Sequence, residues 1–189
     1  MQGTAATATG KRMPLDLRQQ IALVIALIAA LAIPIAAPFT VPDFFPTAAG
    51  DNQCYRYSSA DRDFTTKMNA ERKAKGLKTM KLDPELSKVA MVHTANEMIK
   101  TNTLHHTSNS ALAKRVTNWV TVGENVGVGA EVSSLHQAFM NSPAHRANIM
   151  LAKFNNVGVG SKVSDGRLWV TVIFEATSNP GTSLGMPKC

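Results

Sequence analysis

The sequence contains few cysteines, few aromatic residues and few acidic residues. Among its 189 residues are 2 cysteines and 6% aromatic side chains, and 20 basic against 13 acidic side chains give a formal charge of +7. Basic segments that bind nucleic acid usually carry interleaved aromatic side chains, and the basic residues here lack them. The charge therefore favours a solvated surface, with weak attraction to anionic envelope polymers or lipid headgroups, over nucleic-acid binding.

One segment near the N-terminus lacks polar residues altogether. Every residue from Ile21 to Ala37 is apolar, and three basic residues precede it. As a helix this run spans roughly 26 Å, and two more apolar residues bring it close to the thickness of a bilayer. The basic flank predicts that residues 1–20 are cytoplasmic and that the chain after residue 39 is outside. The length favours an uncleaved membrane anchor over residues 21–39, with a cleaved signal peptide as the alternative.

The two cysteines, Cys54 and Cys189, lie at the two ends of the sequence that follows the apolar segment. An exported chain meets oxidising conditions, so we expect a disulfide between them. In the chain-entropy model, closing so long a loop contributes on the order of 4–5 kcal/mol to stability. The alternative is two unrelated thiols.

Residues 40–57 have the composition of a linker, and residues 58–189 that of a folded domain. Ser58 or Ser59 predicts the start of a first helix, which Gly76 is suited to end. Asp83-Pro84 predicts the start of a second helix, which continues to about residue 100. Further helices are predicted over 132–140, with Leu135, Ala138 and Phe139 inward, and from Pro143 onward.

The last third of the domain changes to the periodicity of strands. Apolar segments over 157–160 and 168–174 flank Ser164-Asp165-Gly166, a strong hairpin signal. Both faces of the second segment are apolar, so we expect it to be covered on both sides. The sequence therefore predicts an α+β domain, a three-layer α-β-α sandwich around a small, mostly antiparallel sheet.

Chemistry-bearing residues concentrate around two short segments. Glu124 stands in Gly123-Glu124-Asn125, which reads as a glycine-rich loop after a short strand over 119–122, and His145 follows Ser142-Pro143 in the first turn of a helix. With His106 upstream, two imidazoles and a carboxylate can bind zinc and leave a position for water. Alternatively, Glu124 holds the water as a base while only the two histidines bind the metal.

Six motifs in order resemble the bacterial branch of the CAP superfamily, the SCP-like extracellular proteins. They are Asn69-Ala70-Glu71-Arg72 with Gly76-Leu77, Leu82-Asp83-Pro84-Glu85-Leu86, His106-Thr107-Ser108, Gly123-Glu124-Asn125 with Gly129, Ser142-Pro143 with His145-Arg146-Ala147-Asn148-Ile149-Met150, and Phe154 with Val157-Gly158-Val159-Gly160. The resemblance spans roughly residues 60 to 175. It implies an α-β-α sandwich with a cleft lined by His106, Glu124 and His145, which in some members holds a divalent metal such as zinc.

In that resemblance, Asn125, Ser142 and Arg146 stand beside the three cleft residues as supporting residues, and His106 and His145 are the expected metal ligands. Many eukaryotic members carry a second glutamate shortly before the last histidine, where this chain has Ser142. As for Ser142 itself, a role as helix cap explains it better than one as a nucleophile.

The remaining candidate residues have simpler interpretations. His105 adjoins His106 and could exchange roles with it, although the motif favours His106. His93 falls on an apolar helical stripe, which is typical of a satisfied core or boundary histidine, and His136 is expected to face solvent. Asn69 and Arg72 share a helix face that an exposed polar surface explains equally well.

The favoured function is a non-enzymatic binding module on the extracytoplasmic face of the membrane, or secreted if the N-terminal segment is cleaved. Its expected ligand is a small amphipathic or lipid-like molecule, an envelope component or a partner's loop, with or without a divalent metal. The first alternative is a metal-dependent hydrolase of envelope peptides or polymers, although no nucleophile with an adjacent base is evident in the sequence. The second is a structural or signalling envelope protein.

Overall fold

The structure, a computed structural model, describes residues 54–187. The expected cytoplasmic segment, the apolar segment over 21–39 and most of the linker lie outside the described residues, and so does Cys189. The expectations about them stay predictions. Within residues 54–187, no helix combines the length and the apolar character needed to cross a membrane.

The domain combines helices with a mostly antiparallel sheet. The helices are α1 (Ser59–Ala74), α2 (Pro84–Val92), α3 (Ile99–Thr101), α4 (Asn109–Arg115), α5 (Val132–Asn141) and α6 (Pro143–Met150), and a π-helical segment (His93–Met98) joins α2 to α3. The strands are β1 (Lys81–Leu82), β2 (Val116–Thr117), β3 (Thr121–Gly129), β4 (Asn156–Ser164), β5 (Arg167–Ala176) and β6 (Gly181–Thr182). The main sheet has the order β1-β4-β5-β3, in which only β1 pairs in parallel, and β2 pairs with β6. The predicted mixed α+β class is confirmed.

The first two helices begin where the sequence predicts. The Ser58 side chain accepts a hydrogen bond from the Asp61 backbone, whose side chain in turn accepts one from the Ser58 backbone, so a capping box closes the N-terminus of α1. Gly76 follows the end of α1 with φ +70°, a conformation that glycine adopts without strain. The Asp83 side chain accepts hydrogen bonds from the first turn of α2.

The hairpin prediction is also confirmed. Asp165 and Gly166 have φ values of 50° and 70°, as a type I′ turn requires, and they connect β4 to β5. Strand β5 is buried on both faces: Val170, Val172 and Phe174 pack with α1, α5 and α6, whereas Ile173 packs with α2 and α4. Helices therefore cover the sheet from both sides.

Two glycines in β4 set the distance between the sheet and α2. A Cβ atom at Gly158 would lie 2.2 Å from the Leu86 carbonyl carbon, and one at Gly160 would lie 2.2 Å from the Met91 nitrogen. The helix backbone therefore rests directly on the strand backbone. This contact fixes the direction in which α2 continues into the π-helical segment and its histidine.

The segment predicted as a glycine-rich loop is instead strand β3, at the edge of the sheet. Two of its glycines face α5: a Cβ atom would lie 3.0 Å from the Phe139 ring at Gly127, and 2.9 Å from the Leu135 side chain at Gly129. The glycines therefore mark close packing of a helix on a strand rather than a turn.

The inward face of α5 differs from the prediction at two positions. Ala138 is exposed, and His136, which we expected to face solvent, is 8% exposed and therefore buried. The buried positions Leu135, His136, Phe139 and Met140 follow the i, i+1, i+4, i+5 pattern of a helix whose apolar face is slightly rotated from the predicted one.

The expectation of an exposed polar face at Asn69 and Arg72 is wrong for Arg72. Its side chain is completely buried and donates hydrogen bonds to the carbonyl groups of Lys78, Ile149, Leu151 and Phe154. The arginine thereby joins the end of α1 to the segment between α6 and β4.

Glu175, near the end of β5, is a buried carboxyl group whose two side-chain oxygens have no hydrogen-bond partner among the described residues. Burial raises its pKa from the ordinary 4.5 to about 8, and the carboxylates of Asp83 and Glu85 add to the effect. The folded protein therefore holds a proton that the unfolded chain has already released at neutral pH.

We expect this proton to make stability fall as pH rises. The folded-state pKa of Glu175 lies above the unfolded value, so its contribution is complete below about pH 4.5 and is lost as pH rises towards about 8. The maximum slope is about 1.4 kcal/mol per pH unit. Urea unfolding between pH 5 and 8.5 should show this fall for wild type and a smaller one for Glu175→Gln. Equal slopes for Glu175→Gln and wild type would contradict the assignment, and the exposed control Glu131→Gln should keep the wild-type slope.

Candidate functional site

A buried carboxylate holds an exposed imidazole at the edge of the sheet. His106 lies in the loop between α3 and α4, and its Nδ1 donates a hydrogen bond to Glu124 Oε1 on β3 at 2.9 Å. The same oxygen accepts a second hydrogen bond from the Thr107 backbone, also at 2.9 Å. The Glu124 side chain is 5% exposed and the His106 side chain 58% exposed. The structure thus brings together two of the three residues singled out in the sequence.

The third residue, His145, is attached to the same strand through two asparagines. Asn125 Nδ2 donates a hydrogen bond to the His145 carbonyl at 3.0 Å. Asn148 Nδ2 donates to Asn125 Oδ1 at 2.9 Å and to the Glu124 carbonyl at 3.1 Å. These bonds fasten α6 to β3 and thereby hold the two short motifs side by side. The His145 ring packs on Phe139, with the ring centroids 4.9 Å apart.

The pKa values of His106 and His145 are shifted in opposite directions. The hydrogen bond to Glu124 raises the pKa of His106 in spite of some burial, so its charged form is favoured. Burial lowers the pKa of His145, and the nearby charge of His106 lowers it further. Near neutral pH this surface therefore combines an imidazole that readily takes a proton with one that stays neutral.

The supporting residues contribute unequally. Asn125 is completely buried and makes the contacts described above. Ser142 occupies the capping position of α6, as expected, but its side chain makes no capping hydrogen bond. Arg146 is exposed. The sequence analysis did not identify Asn148 as a functional residue. Its spacing of three residues from His145 places both on one helix face, which is the signal that could have indicated its role.

Glu124 also lies near a second histidine. Its Oε2 is 4.0 Å from Nδ1 of His93, which is completely buried. His93 Nδ1 is 3.0 Å from Thr171 Oγ1, whereas its Nε2 has no hydrogen-bond partner among the described residues. The expectation of a buried histidine is confirmed, but the expectation that its polar atoms are all satisfied is wrong for Nε2.

The described residues include a group with the composition of a metal site, formed by His93, Glu97 and His105. One potential ligand atom of each lies within 4.8 Å of the others. The ligands expected from the sequence, His106 and His145, do not belong to this group, and their role in metal binding stays a prediction. Glu97 was missed in the sequence, although it stands one helical turn after His93 and thus on the same side of the helix.

A recess near the start of the described residues does not include these histidines. It has a volume of about 250 Å³ and is lined by Cys54, Tyr55, Arg56, Lys88, Met91 and Pro187. The chemistry-bearing side chains and the recess are therefore separate features of the described residues.

Several solved structures have a similar fold, and two of them are bacterial proteins. An outer surface protein of Borrelia burgdorferi is 19% identical, with a TM-score of 0.58, and the match covers 67% of this chain and 99% of that one. An extracellular SCP-domain protein of Bacillus anthracis is 22% identical, with a TM-score of 0.52 and coverage of 62% and 40%. NaASP2, solved with Zn²⁺, is 14% identical, with a TM-score of 0.50 and coverage of 73% and 90%. At these identities the likeness shows the fold alone.

The family is shown by the sequence itself. No curated protein sequence matches the chain. The model of the CAP family, described as the cysteine-rich secretory protein family, matches residues 65–174, which is more than half of the chain. This match includes His106, Glu124, Asn125 and His145. The chain therefore belongs to the CAP, or cysteine-rich secretory protein, family.

Proposed function

We propose that this chain is an exported, membrane-anchored binding protein whose surface around His106, Glu124 and His145 binds a small amphipathic ligand. Export and anchoring are supported by the apolar segment over 21–39, its basic flank and the secretory character of the family. The Cys54 N–H donates a hydrogen bond to the carbonyl of Pro187, which precedes Cys189 by two residues in the sequence. This proximity supports the expected disulfide.

The observation that carries the proposal is the exposed His106 ring, held in place by the buried Glu124 carboxylate. An imidazolium in a fixed orientation suits an anionic headgroup, because the charge is available without a further ordering cost. Apolar surface lies nearby in the chain: Leu104, two residues before His106, is 47% exposed. An anionic head with an alkyl chain matches both parts of this surface.

Metal-dependent hydrolysis with Glu124 as the base has less support. Its Oε1 already accepts two hydrogen bonds. Its Oε2 is buried and lies 4.0 Å from the buried His93 ring. A carboxylate arranged in this way orients His106 rather than activating a water on the open side of the site.

The proposal can be tested with dodecanoate below its micellar concentration, by calorimetry on the full-length chain in mild detergent. We expect His106→Ala to weaken binding by about tenfold or more, as expected when a charge-assisted contact is lost. His145→Ala should also weaken binding, because it removes the neutral ring beside the headgroup. Binding to wild type should also weaken as pH rises through the raised pKa of His106, because the His106 ring then loses its positive charge.

The exposed Lys73 on α1 offers a control with the same change of charge. Lys73→Ala should bind dodecanoate as wild type does and keep the same dependence on pH. The N-terminal apolar segment is common to all these variants, so any difference between them belongs to the domain. Equal affinities for wild type, His106→Ala and His145→Ala would contradict the proposal. So would failure of dodecanoate to bind, combined with organic extracts of the purified chain that contain no amphiphile.

A further inference from the structure

We infer that His93, Glu97 and His105 form a binding site for a divalent transition metal, separate from the surface that carries His106 and His145. Two imidazoles and a carboxylate are the donor set that zinc and its neighbours prefer. Three protein ligands leave a fourth position open to water. The inference does not depend on the proposed amphipathic ligand.

The strongest support comes from the unpartnered atom of His93. The ring is completely buried, and its Nε2 has no hydrogen-bond partner among residues 54–187. Nε2 lies 3.9 Å from Glu97 Oε2, and the ring meets His105 edge to face with centroids 5.2 Å apart. A buried imidazole nitrogen without a partner is costly unless something binds it, and a metal ion would do so.

Each candidate ligand is oriented through its other polar atom. His93 Nδ1 lies 3.0 Å from Thr171 Oγ1 and 4.0 Å from Glu124 Oε2, so a proton on Nδ1 is stabilised and the Nε2 lone pair is left for a metal. His105 Nδ1 lies 3.0 Å from the Thr103 carbonyl, to which it donates, which leaves its Nε2 free in the same way. Such outer contacts are typical of metal-binding histidines.

Glu97 is held by a neighbouring arginine. Arg115 Nη2 lies 2.5 Å from Glu97 Oε1, which leaves Oε2 directed at His93. The charged groups facing the site are therefore Glu97, Arg115 and, beyond the His93 ring, Glu124. Glu124 is also hydrogen-bonded to His106, so Glu97 is the carboxylate that faces the metal position directly.

The ligand atoms need to approach one another by at most about 1.5 Å, because they already lie within 4.8 Å of one another. Ligand atoms around tetrahedral zinc are about 3.3 Å apart, as follows from bonds of about 2.0 Å. The separation of 3.9 Å between His93 Nε2 and Glu97 Oε2 is close to this value. Glu97 and His105 are only partly buried, so their side chains can move towards a metal while the buried His93 ring stays in place.

The place of His93 and Glu97 in the fold adds a second observation. Both lie in the π-helical segment between α2 and α3, and such segments often mark functional sites. His105 comes from the loop that also carries His106. A metal bound here would join that loop to the helix and thereby steady the ring that Glu124 orients.

Calorimetric titration of the full-length, chelator-treated chain with Zn²⁺ tests the inference. We expect one zinc per chain, and His105→Ala and Glu97→Gln should each weaken binding by more than about 100-fold, since even outer partners of metal ligands contribute 10–100-fold. His106→Ala and His145→Ala should bind zinc within a fewfold of wild type. Circular dichroism of every variant identifies any that fails to fold, and His105→Gln replaces His105→Ala in that case.

Three outcomes would overturn the inference: no zinc binding by the wild type, unchanged binding by both His105→Ala and Glu97→Gln, or binding that is lost with His106→Ala or His145→Ala but kept with His105→Ala. The last outcome would assign the metal to the other histidines. None of the three decides whether dodecanoate binds, so this inference and the proposed function fail separately.

Discussion

Replacing Gly160 with alanine should destabilise the domain by about 3 kcal/mol or more, because overpacking against backbone leaves no flexible group to yield. The added Cβ atom would lie 2.2 Å from the Met91 nitrogen and 2.5 Å from the Ala90 carbonyl carbon. Relief requires α2 to move away from β4, which would open the packing of Val89 and Ala90. Equilibrium urea unfolding of the variant and wild type measures this loss.

Gly185 provides a matched control within the same chain. A Cβ atom there meets nothing within 4 Å, and the residue does not have a positive φ. Gly185→Ala should therefore leave the free energy of unfolding within about 0.5 kcal/mol of wild type, or raise it slightly through the unfolded state. If Gly160→Ala proves as stable as Gly185→Ala, α2 does not rest on the strand backbone in the way described.

Arg72→Met should cost about 3–5 kcal/mol, since it leaves several buried carbonyl groups without a donor. The guanidinium reaches the carbonyls of Ile149, Leu151 and Phe154 with hydrogen bonds of 2.8–2.9 Å, and methionine keeps the bulk of the side chain without the donors. Arg72→Lys should recover only part of the loss, because a single ammonium group cannot span carbonyls in the fork geometry of arginine. Thermal and urea unfolding of both variants would measure the effect.

A control at the adjacent residue, Lys73, separates the effect of the lost hydrogen bonds from the effect of the lost charge. Lys73 is exposed on the same helix, so Lys73→Met removes the same charge without leaving buried carbonyls unpaired. Its stability should stay within about 0.5 kcal/mol of wild type. A similar loss for Lys73→Met and Arg72→Met would mean that net charge, rather than the buried hydrogen bonds, explains the result.

Local signals in the sequence were sufficient to predict much of the fold. The cap at Ser58, the Asp83-Pro84 start of α2 and the turn at Asp165-Gly166 each depend on a few neighbouring residues, and the structure confirms all three. The burial of β5 on both faces followed from the largely apolar character of both faces. Such features are encoded within one element and need no knowledge of what packs against it.

Features that depend on distant contacts were not predictable in the same way. Glycines in β3 have the composition of a loop until the Leu135 and Phe139 side chains are placed against them. The burial of Arg72 depends on carbonyl groups that lie 77 to 82 residues away along the chain. His136 is buried because the face of α5 is rotated by about one residue from the expected one.

Some residues of the candidate site could also be predicted from local sequence motifs, whereas others could not. His106 and Glu124 could be singled out from the motifs, and the structure places them in direct contact. The approach of His93, Glu97 and His105 was not apparent, because the π-helical segment and the loop before α4 meet only after folding. The spacing of four residues between His93 and Glu97 is visible in the sequence, but their approach to His105 required the tertiary structure.

The central claim is that Glu124 orients His106 to bind a headgroup beside His145. The most direct measurement records the imidazole signals of the 5 histidines by NMR in the full-length chain, labelled with 15N-histidine, before and after addition of dodecanoate. The account predicts a proton on His106 Nδ1, shifted signals for His106 and His145 on binding, and an unchanged signal for the buried His136. Binding of dodecanoate that leaves the signals of His106 and His145 unchanged would contradict it.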